Sequence, residues 1–75
     1  MTIETRVLRE ISHLLNVPVD AVTVEDSLEG IGVDRIGMMV LLIELEAEFD
    51  IFIEEDDFKK VKDIVYYIND MTVPV

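Results

Sequence analysis

Apolar residues recur at every third or fourth position in three segments of the chain, and each segment predicts a helix. The first begins after Thr2, whose hydroxyl can cap it, and ends near Asn16. The second begins after Asp34, which can cap it in the same way, and runs to about Phe49. The third is shorter and spans about Val61 to Asn69. No segment alternates apolar and polar residues for long, so the pattern predicts an all-α fold.

The segments between these helices are irregular. From Val17 to Val33 the helical period is lost and Pro18, Gly30 and Gly32 accumulate, which predicts a long loop whose Val and Leu residues fill the core. Residues 54–58 can add one further helical turn, and residues 71–75 are expected to fray. The expected core positions of the three helices are Ile3, Val7, Leu8, Ile11, Leu14, Leu15, Met38, Leu41, Leu42, Leu45, Phe49, Val61, Ile64, Val65 and Ile68.

The predicted second helix has an apolar row on each of two opposite sides. One row is the core row given above. The other, here named the second stripe, is separated from the first by charged residues on both flanks and consists of Ile36, Met39, Val40, Ile43 and Ala47. Two interpretations are open: the helix is central and buried on all sides, or the second stripe is exposed and binds a partner, as rows of Met and branched aliphatic side chains do.

Composition narrows the class of protein. With 75 residues, 51% apolar and 31% charged, the chain is expected to fold as one domain spanning residues 1–75. It has no cysteine, which excludes disulfides and thiolate zinc sites. The formal charge of −11 repels nucleic acid and anionic lipid, and favours basic protein partners or metal cations. Residues 38–43 form an apolar run too short to span a membrane, and no signal peptide is recognisable, so we expect a cytoplasmic protein.

Several motifs resemble the acyl carrier protein family. The sequence Ile31-Gly32-Val33-Asp34-Arg35-Ile36 is similar to the family's leucine-glycine-x-aspartate-serine-leucine motif, and residues 45–51 and 67–69 extend the similarity over nearly the whole chain. The resemblance implies a three-to-four-helix bundle with a long first loop. It also implies that a serine at the position of Arg35 would carry 4′-phosphopantetheine, whose thiol holds acyl groups. Arg35 has no hydroxyl, so we expect no covalently bound cofactor.

Ser27 is a second candidate position for attachment of phosphopantetheine, because Asp26-Ser27-Leu28 repeats part of the motif. Two glycines soon after it argue against the helix start that the family's modifying enzyme recognises, so we expect Ser27 to bond a nearby backbone N–H instead. The resemblance also implies that Gly37 and Val40 stand where the family displays acidic side chains to its partners.

The remaining polar residues do not predict catalysis or a specific metal site. His13 has no cysteine or second histidine to act with and is expected at the surface. The acidic run at residues 54–57 lacks the spacing of an EF-hand loop, which favours weak, nonspecific cation binding. We therefore predict a non-enzyme with no resident metal.

Three functions are compatible with these observations. The first is a non-carrying interaction module linked to fatty acid or polyketide type synthesis, which binds synthase-type enzymes or a second copy of itself through Arg35, Ile36, Met39, Val40 and Ile43. The second is a genuine acyl carrier protein, modified at another residue or altered at position 35. The third, a small lipid-binding or calcium-responsive protein, has the least support.

Overall fold

The computed structural model describes residues 1–72, which form three α-helices: α1 at Ile3–Leu15, α2 at Arg35–Phe49 and α3 at Val61–Thr72. A single 3-10 turn at Val19–Ala21 lies in the loop between α1 and α2. Within the described residues the only β-type pairing is one isolated bridge between Ser27 and Lys60. The predicted all-α fold is therefore confirmed.

The helix ends are the ones that the capping residues predict. The Thr2 hydroxyl accepts a hydrogen bond from the Thr5 N–H at 3.1 Å, and α1 ends at Asn16 in the left-handed conformation, with φ of 57°. The Asp34 carboxylate accepts a hydrogen bond from the Gly37 N–H at 2.7 Å and so caps α2. Asp50, also left-handed, ends α2. Local sequence therefore determines where α1 and α2 begin and end.

The core lies where α1 packs against both other helices. Three residues of the long loop also enter the core, as predicted, namely Val22, Leu28 and Val33. The other buried apolar side chains come from the helices and the segment before α3: Val7, Ile11, Leu41, Leu42, Leu45, Phe58, Val61, Ile64 and Ile68. The remaining predicted core positions, such as Met38 and Phe49, are partly buried against this cluster.

Backbone hydrogen bonds fix the long loop to the start of α3. The Leu28 N–H donates to the Lys59 carbonyl at 2.9 Å, and the Val61 N–H donates to the Asp26 carbonyl at 3.1 Å. The Lys62 N–H donates to a carbonyl further back in the loop, at 2.9 Å. These contacts hold the loop beside the N-terminal end of α2, where the candidate site lies.

Two predictions about the second half of the chain need correction. Residues 54–58 form no helical turn, because the Ile53 N–H donates to the Glu46 carboxylate at 2.8 Å and the Glu54 N–H donates to the Tyr67 hydroxyl at 3.1 Å. These contacts fix the start of the segment to α2 and α3, and residues 54–58 are irregular. The third helix also continues to Thr72 instead of ending near Asn69, so residues 71 and 72 are helical. Residues 73–75 of the predicted frayed tail lie outside the described residues.

Candidate functional site

The second stripe of α2 is exposed. Side chains on this face have exposed fractions of 71% for Ile36, 60% for Met39, 41% for Val40 and 60% for Ile43. On the opposite face Leu45 is fully buried. The interpretation that α2 is central and buried on all sides is therefore wrong, and the other interpretation, an exposed second stripe, is confirmed. Partner binding by these residues stays a prediction.

This face is exposed because the rest of the described chain covers only one side of α2. The helix packs on α1, and its buried residues Leu41, Leu42 and Leu45 belong to the core cluster. Polar side chains border the exposed face, with Glu44 and Glu48 exposed on one flank. Four large apolar side chains are thus presented together on two turns of helix, which is the arrangement of an interaction surface.

Arg35 is the first residue of α2 and is exposed. It follows directly on Asp34, whose carboxylate is engaged in capping the helix. Arg35 lines an open groove between the long loop and the segment that precedes α3. The other residues that line this groove are Ser27, Leu28, Glu29, Val33, Asp34, Met38, Met39, Asp56, Asp57, Phe58 and Lys59. The groove meets the second stripe at Met39, so Arg35 and the stripe belong to one continuous surface.

Ser27 lies in the same groove but on the loop, not on a helix. Its hydroxyl accepts a hydrogen bond from the Gly30 N–H at 3.1 Å, which confirms the predicted bond to a nearby backbone N–H. The turn is tight, since a Cβ on Gly30 would come within 3.3 Å of the Ser27 Cβ. Ser27 is therefore a turn-forming residue with one hydroxyl lone pair already used.

A second concave region lies on the other side of the stripe, between α1 and α2. It is lined by Glu10, His13, Leu14, Val40, Leu41 and Glu44, and we call it the acidic niche. His13 is exposed there, as predicted for a surface histidine. Glu10 and Glu44 were not predicted as site residues, because they come from different helices and no local motif relates them. Val40 joins the niche to the stripe.

The acidic run at residues 54–57 lies partly in the groove. The Asp57 carboxylate pairs with the Lys59 ammonium at 3.4 Å, and the Glu55 carboxylate accepts hydrogen bonds from the backbone N–H groups of Asp56 and Asp57, both at 3.0 Å. Among residues 1–72, no three acidic or histidine side chains come together in a way that could hold a metal ion.

One carboxyl group of the long loop has a perturbed pKa. The hydrogen bond from the Lys62 ammonium, at 3.1 Å, lowers the pKa of Glu25, and the charges of Lys62 and Lys60 lower it further. The same hydrogen bond raises the pKa of Lys62. This pair lies beside the start of α3, away from the stripe, and stabilises the attachment of the loop instead of belonging to the site.

Comparison with known proteins gives the family. A family model described as a phosphopantetheine attachment site matches residues 5–68. Acyl carrier proteins from two strains of Nitratidesulfovibrio vulgaris, DP4 and Hildenborough, are each 33% identical over 73 residues, covering 92% of this chain and 96% of the relative. None of the helices in residues 1–72 is long and apolar enough to cross a membrane. The three-helix plan, the capped start of α2 and these two matches show that the chain belongs to the acyl carrier protein family.

Proposed function

We propose that this protein is a non-carrying member of the acyl carrier protein family, a cytoplasmic interaction module linked to fatty acid or polyketide type synthesis. Members of the family are carriers and not enzymes, and they normally hold 4′-phosphopantetheine. The proposal is that this member keeps the fold and the partner-binding role of the second helix without the covalent group.

The observation that supports the proposal is the residue at the start of α2. Arg35 directly follows the capping Asp34, at the position where the family resemblance places the attachment serine. Attachment of phosphopantetheine forms a phosphodiester with a side-chain hydroxyl, and a guanidinium has only N–H donors. The Arg35 side chain therefore does not fit phosphopantetheine, and the proposed function does not use that group.

The exposed second stripe supports the same proposal. An interaction module needs a surface that a partner can cover, and α2 presents Ile36, Met39, Val40 and Ile43 to solvent. Gly37 and Val40 stand where the resemblance places acidic side chains, so this face has exchanged charge for apolar surface. The surface change and Arg35 are on the same helix and point to the same loss of the carrier role.

Intact-mass spectrometry tests the proposal directly. The purified protein is incubated with coenzyme A and a phosphopantetheinyl transferase, with a functional acyl carrier protein as positive control for the transferase. We expect the mass of this protein to stay unchanged. An increase by one phosphopantetheine would overturn the proposal and favour a genuine carrier, and the Ser27→Ala variant would then show whether Ser27 is the modified residue.

The Arg35→Ser variant is the matched companion. It supplies the missing hydroxyl, but Gly37 and Val40 still lack the acidic side chains, so we expect little modification. The triple variant Arg35→Ser, Gly37→Glu, Val40→Glu is expected to be modified more efficiently. Equal modification of the single and triple variants would mean that positions 37 and 40 do not matter to the transferase.

A further inference from the structure

The second stripe has the spacing of a surface that can pair with itself. Its four large side chains follow the order i, i+3, i+4 and i+7, which is the same from either end: Ile36, Met39, Val40 and Ile43. When two copies of α2 lie antiparallel about a twofold axis, each residue meets the residue equally far from the midpoint in the other copy. With the midpoint between Met39 and Val40, Ile36 of one copy lies level with Ile43 of the other. Every large apolar side chain of the stripe therefore has an apolar counterpart.

The charged residues beside the stripe determine whether two copies can approach. At about 100° per residue, Arg35 and Glu46 lie on one flank of the stripe, and Glu44 and Glu48 lie on the other. In an antiparallel twofold pair, each flank faces the same flank of the other copy. The flank that holds Arg35 and Glu46 therefore brings opposite charges together across the interface.

Arg35 and Glu46 also lie at suitable heights along α2 for an ion pair between copies. At 1.5 Å per residue, Arg35 is about 7 Å from the midpoint and Glu46 about 10 Å, so an offset of about 3 Å separates them along the axis. Within residues 1–72, Arg35 takes part in no ion pair. There the Glu46 carboxylate accepts one hydrogen bond, from the Ile53 N–H at 2.8 Å, which leaves its other oxygen for a guanidinium.

The acids on the other flank stay apart in this arrangement. The Glu44 residues of the two copies lie about 14 Å from each other along the axis, which exceeds the Debye length of about 8 Å at physiological salt. From these observations, and resting on the proposed function, in which this surface binds a protein, we propose that a second copy of the chain covers the second stripe. The product is an antiparallel twofold dimer with a pair of Arg35 and Glu46 at each end of the apolar row.

The net charge and the size of the surface make this dimer weak. Each copy has a formal charge of −11, so two copies repel one another at long range. One face of one helix is also smaller than the roughly 800 Å² per partner that a stable interface buries. We expect a dissociation constant of about 0.1 mM that falls as salt screens the long-range repulsion.

Sedimentation equilibrium of the unmodified protein measures the association. Protein at about 0.02 to 1 mM, in NaCl between about 50 and 500 mM, is expected to show a monomer in equilibrium with a dimer, and the dimer should strengthen with salt. Ile43→Ser is expected to weaken the dimer at least about tenfold, since the twofold axis removes two apolar contacts for one substitution. Phe52→Ser is the matched control, because Phe52 is as exposed as Ile36, at 71%, but lies outside α2.

Charge reversal tests the pairing of Arg35 with Glu46. Arg35→Glu and Glu46→Arg each place like charges together at both ends of the row, so each variant alone should associate about tenfold more weakly. Mixing the two variants should restore association, because each end of the mixed dimer then joins opposite charges. Glu44→Arg is the matched control for Glu46→Arg. It lowers the net charge equally but lies on the other flank, and it should strengthen the dimer. Circular dichroism verifies that each variant is folded.

Four results would overturn the proposal. A folded, unmodified protein that stays monomeric at about 1 mM in high salt has no such dimer. Equal weakening by Phe52→Ser and Ile43→Ser would place the association elsewhere on the molecule. Equal effects of Glu44→Arg and Glu46→Arg would mean that net charge alone governs it, and failure of the mixed variants to associate would exclude the antiparallel register. Any of these overturns this inference alone, whereas a mass increase by one phosphopantetheine would overturn the proposed function alone.

Discussion

At the scale of single residues, Arg6 makes three contacts with the C-terminal end of α2. Its guanidinium pairs with the Glu48 carboxylate at 2.9 Å, donates to the Glu48 carbonyl at 3.0 Å, and lies 4.1 Å from the centroid of the Phe49 ring. A lysine has neither the planar fork nor the stacking surface to make all three. Arg6 thus joins α1 to α2 at the end opposite the candidate site.

We expect Arg6→Ala to lower the free energy of unfolding by about 1 to 2 kcal/mol, a modest value because the pair is partly solvated. Arg6→Lys should restore only part of this loss. Arg9→Ala is the matched control, since it removes the same charge from an exposed position of α1 whose guanidinium, within residues 1–72, donates one hydrogen bond, to the Met1 sulfur. Urea unfolding followed by circular dichroism measures all three variants. Equal losses for Arg6→Ala and Arg9→Ala would show that net charge, and not the contacts of Arg6, determines the effect.

The sequence predicts the role of a single residue well where that role depends on residues nearby in the chain. The capping by Thr2 and Asp34 and the hydrogen bond to the Ser27 hydroxyl all lie within three residues of their partners, and all three are confirmed. The contacts of Arg6 join residues more than 40 positions apart, and nothing in the local pattern relates them. Glu10 and Glu44 of the acidic niche escaped prediction for the same reason.

At the scale of elements, too, the sequence predicts features that depend on local residues and misses those that depend on distant contacts. The bounds of α1 and α2 follow from periodicity and capping. The two apolar rows of α2 left two interpretations open, and the packing of the helices shows that the second stripe is exposed. The irregular course of residues 54–58 does not follow from the local pattern. It depends on hydrogen bonds to Glu46 of α2 and Tyr67 of α3, which only the tertiary structure brings close.

The attachment of the long loop to α3 should depend on pH. The pKa of Glu25 is lowered by the hydrogen bond and the charge of Lys62, so this pair stabilises the fold above the ordinary glutamate pKa of about 4.3, and the contribution disappears as pH falls through the lowered value. The pKa of Lys62 is raised by the same contact, so the contribution is lost again only when pH rises through that raised value. The pair therefore stabilises the fold across the whole neutral range.

Glu25→Gln and Glu29→Gln test this dependence together. Both variants remove one negative charge from the loop, but the Glu29 side chain has no ion pair within the described part of the chain. At neutral pH we expect Glu25→Gln to be less stable than Glu29→Gln. The difference between their free energies of unfolding should shrink toward zero as pH falls below the ordinary glutamate range and through the lowered pKa of Glu25. A difference that persists unchanged in acid would mean that the contact with Lys62 does not act through charge.

At the scale of the whole molecule, unpaired negative charge is the dominant electrostatic feature. Only three of the 17 acidic side chains, all of which lie within residues 1–72, take part in an ion pair there: Glu25, Glu48 and Asp57. The others repel one another across a small molecule, which destabilises the folded state relative to the more expanded unfolded chain. Hydrophobic burial in one small core must offset this repulsion.

We therefore expect millimolar Mg²⁺ or Ca²⁺ to raise the melting temperature. Cations that bind the folded state stabilise it by mass action. A cation concentration of ten times the dissociation constant contributes about 1.4 kcal/mol. For a domain of this size, each kcal/mol raises the melting temperature by roughly 4 to 8 °C. Monovalent salt should give part of the effect by screening. About 5 mM MgCl₂ is compared with about 15 mM NaCl, which has the same ionic strength, so any excess for Mg²⁺ reports binding and not screening. If neither salt moves the melting temperature, repulsion among the unpaired carboxylates is too weak to matter.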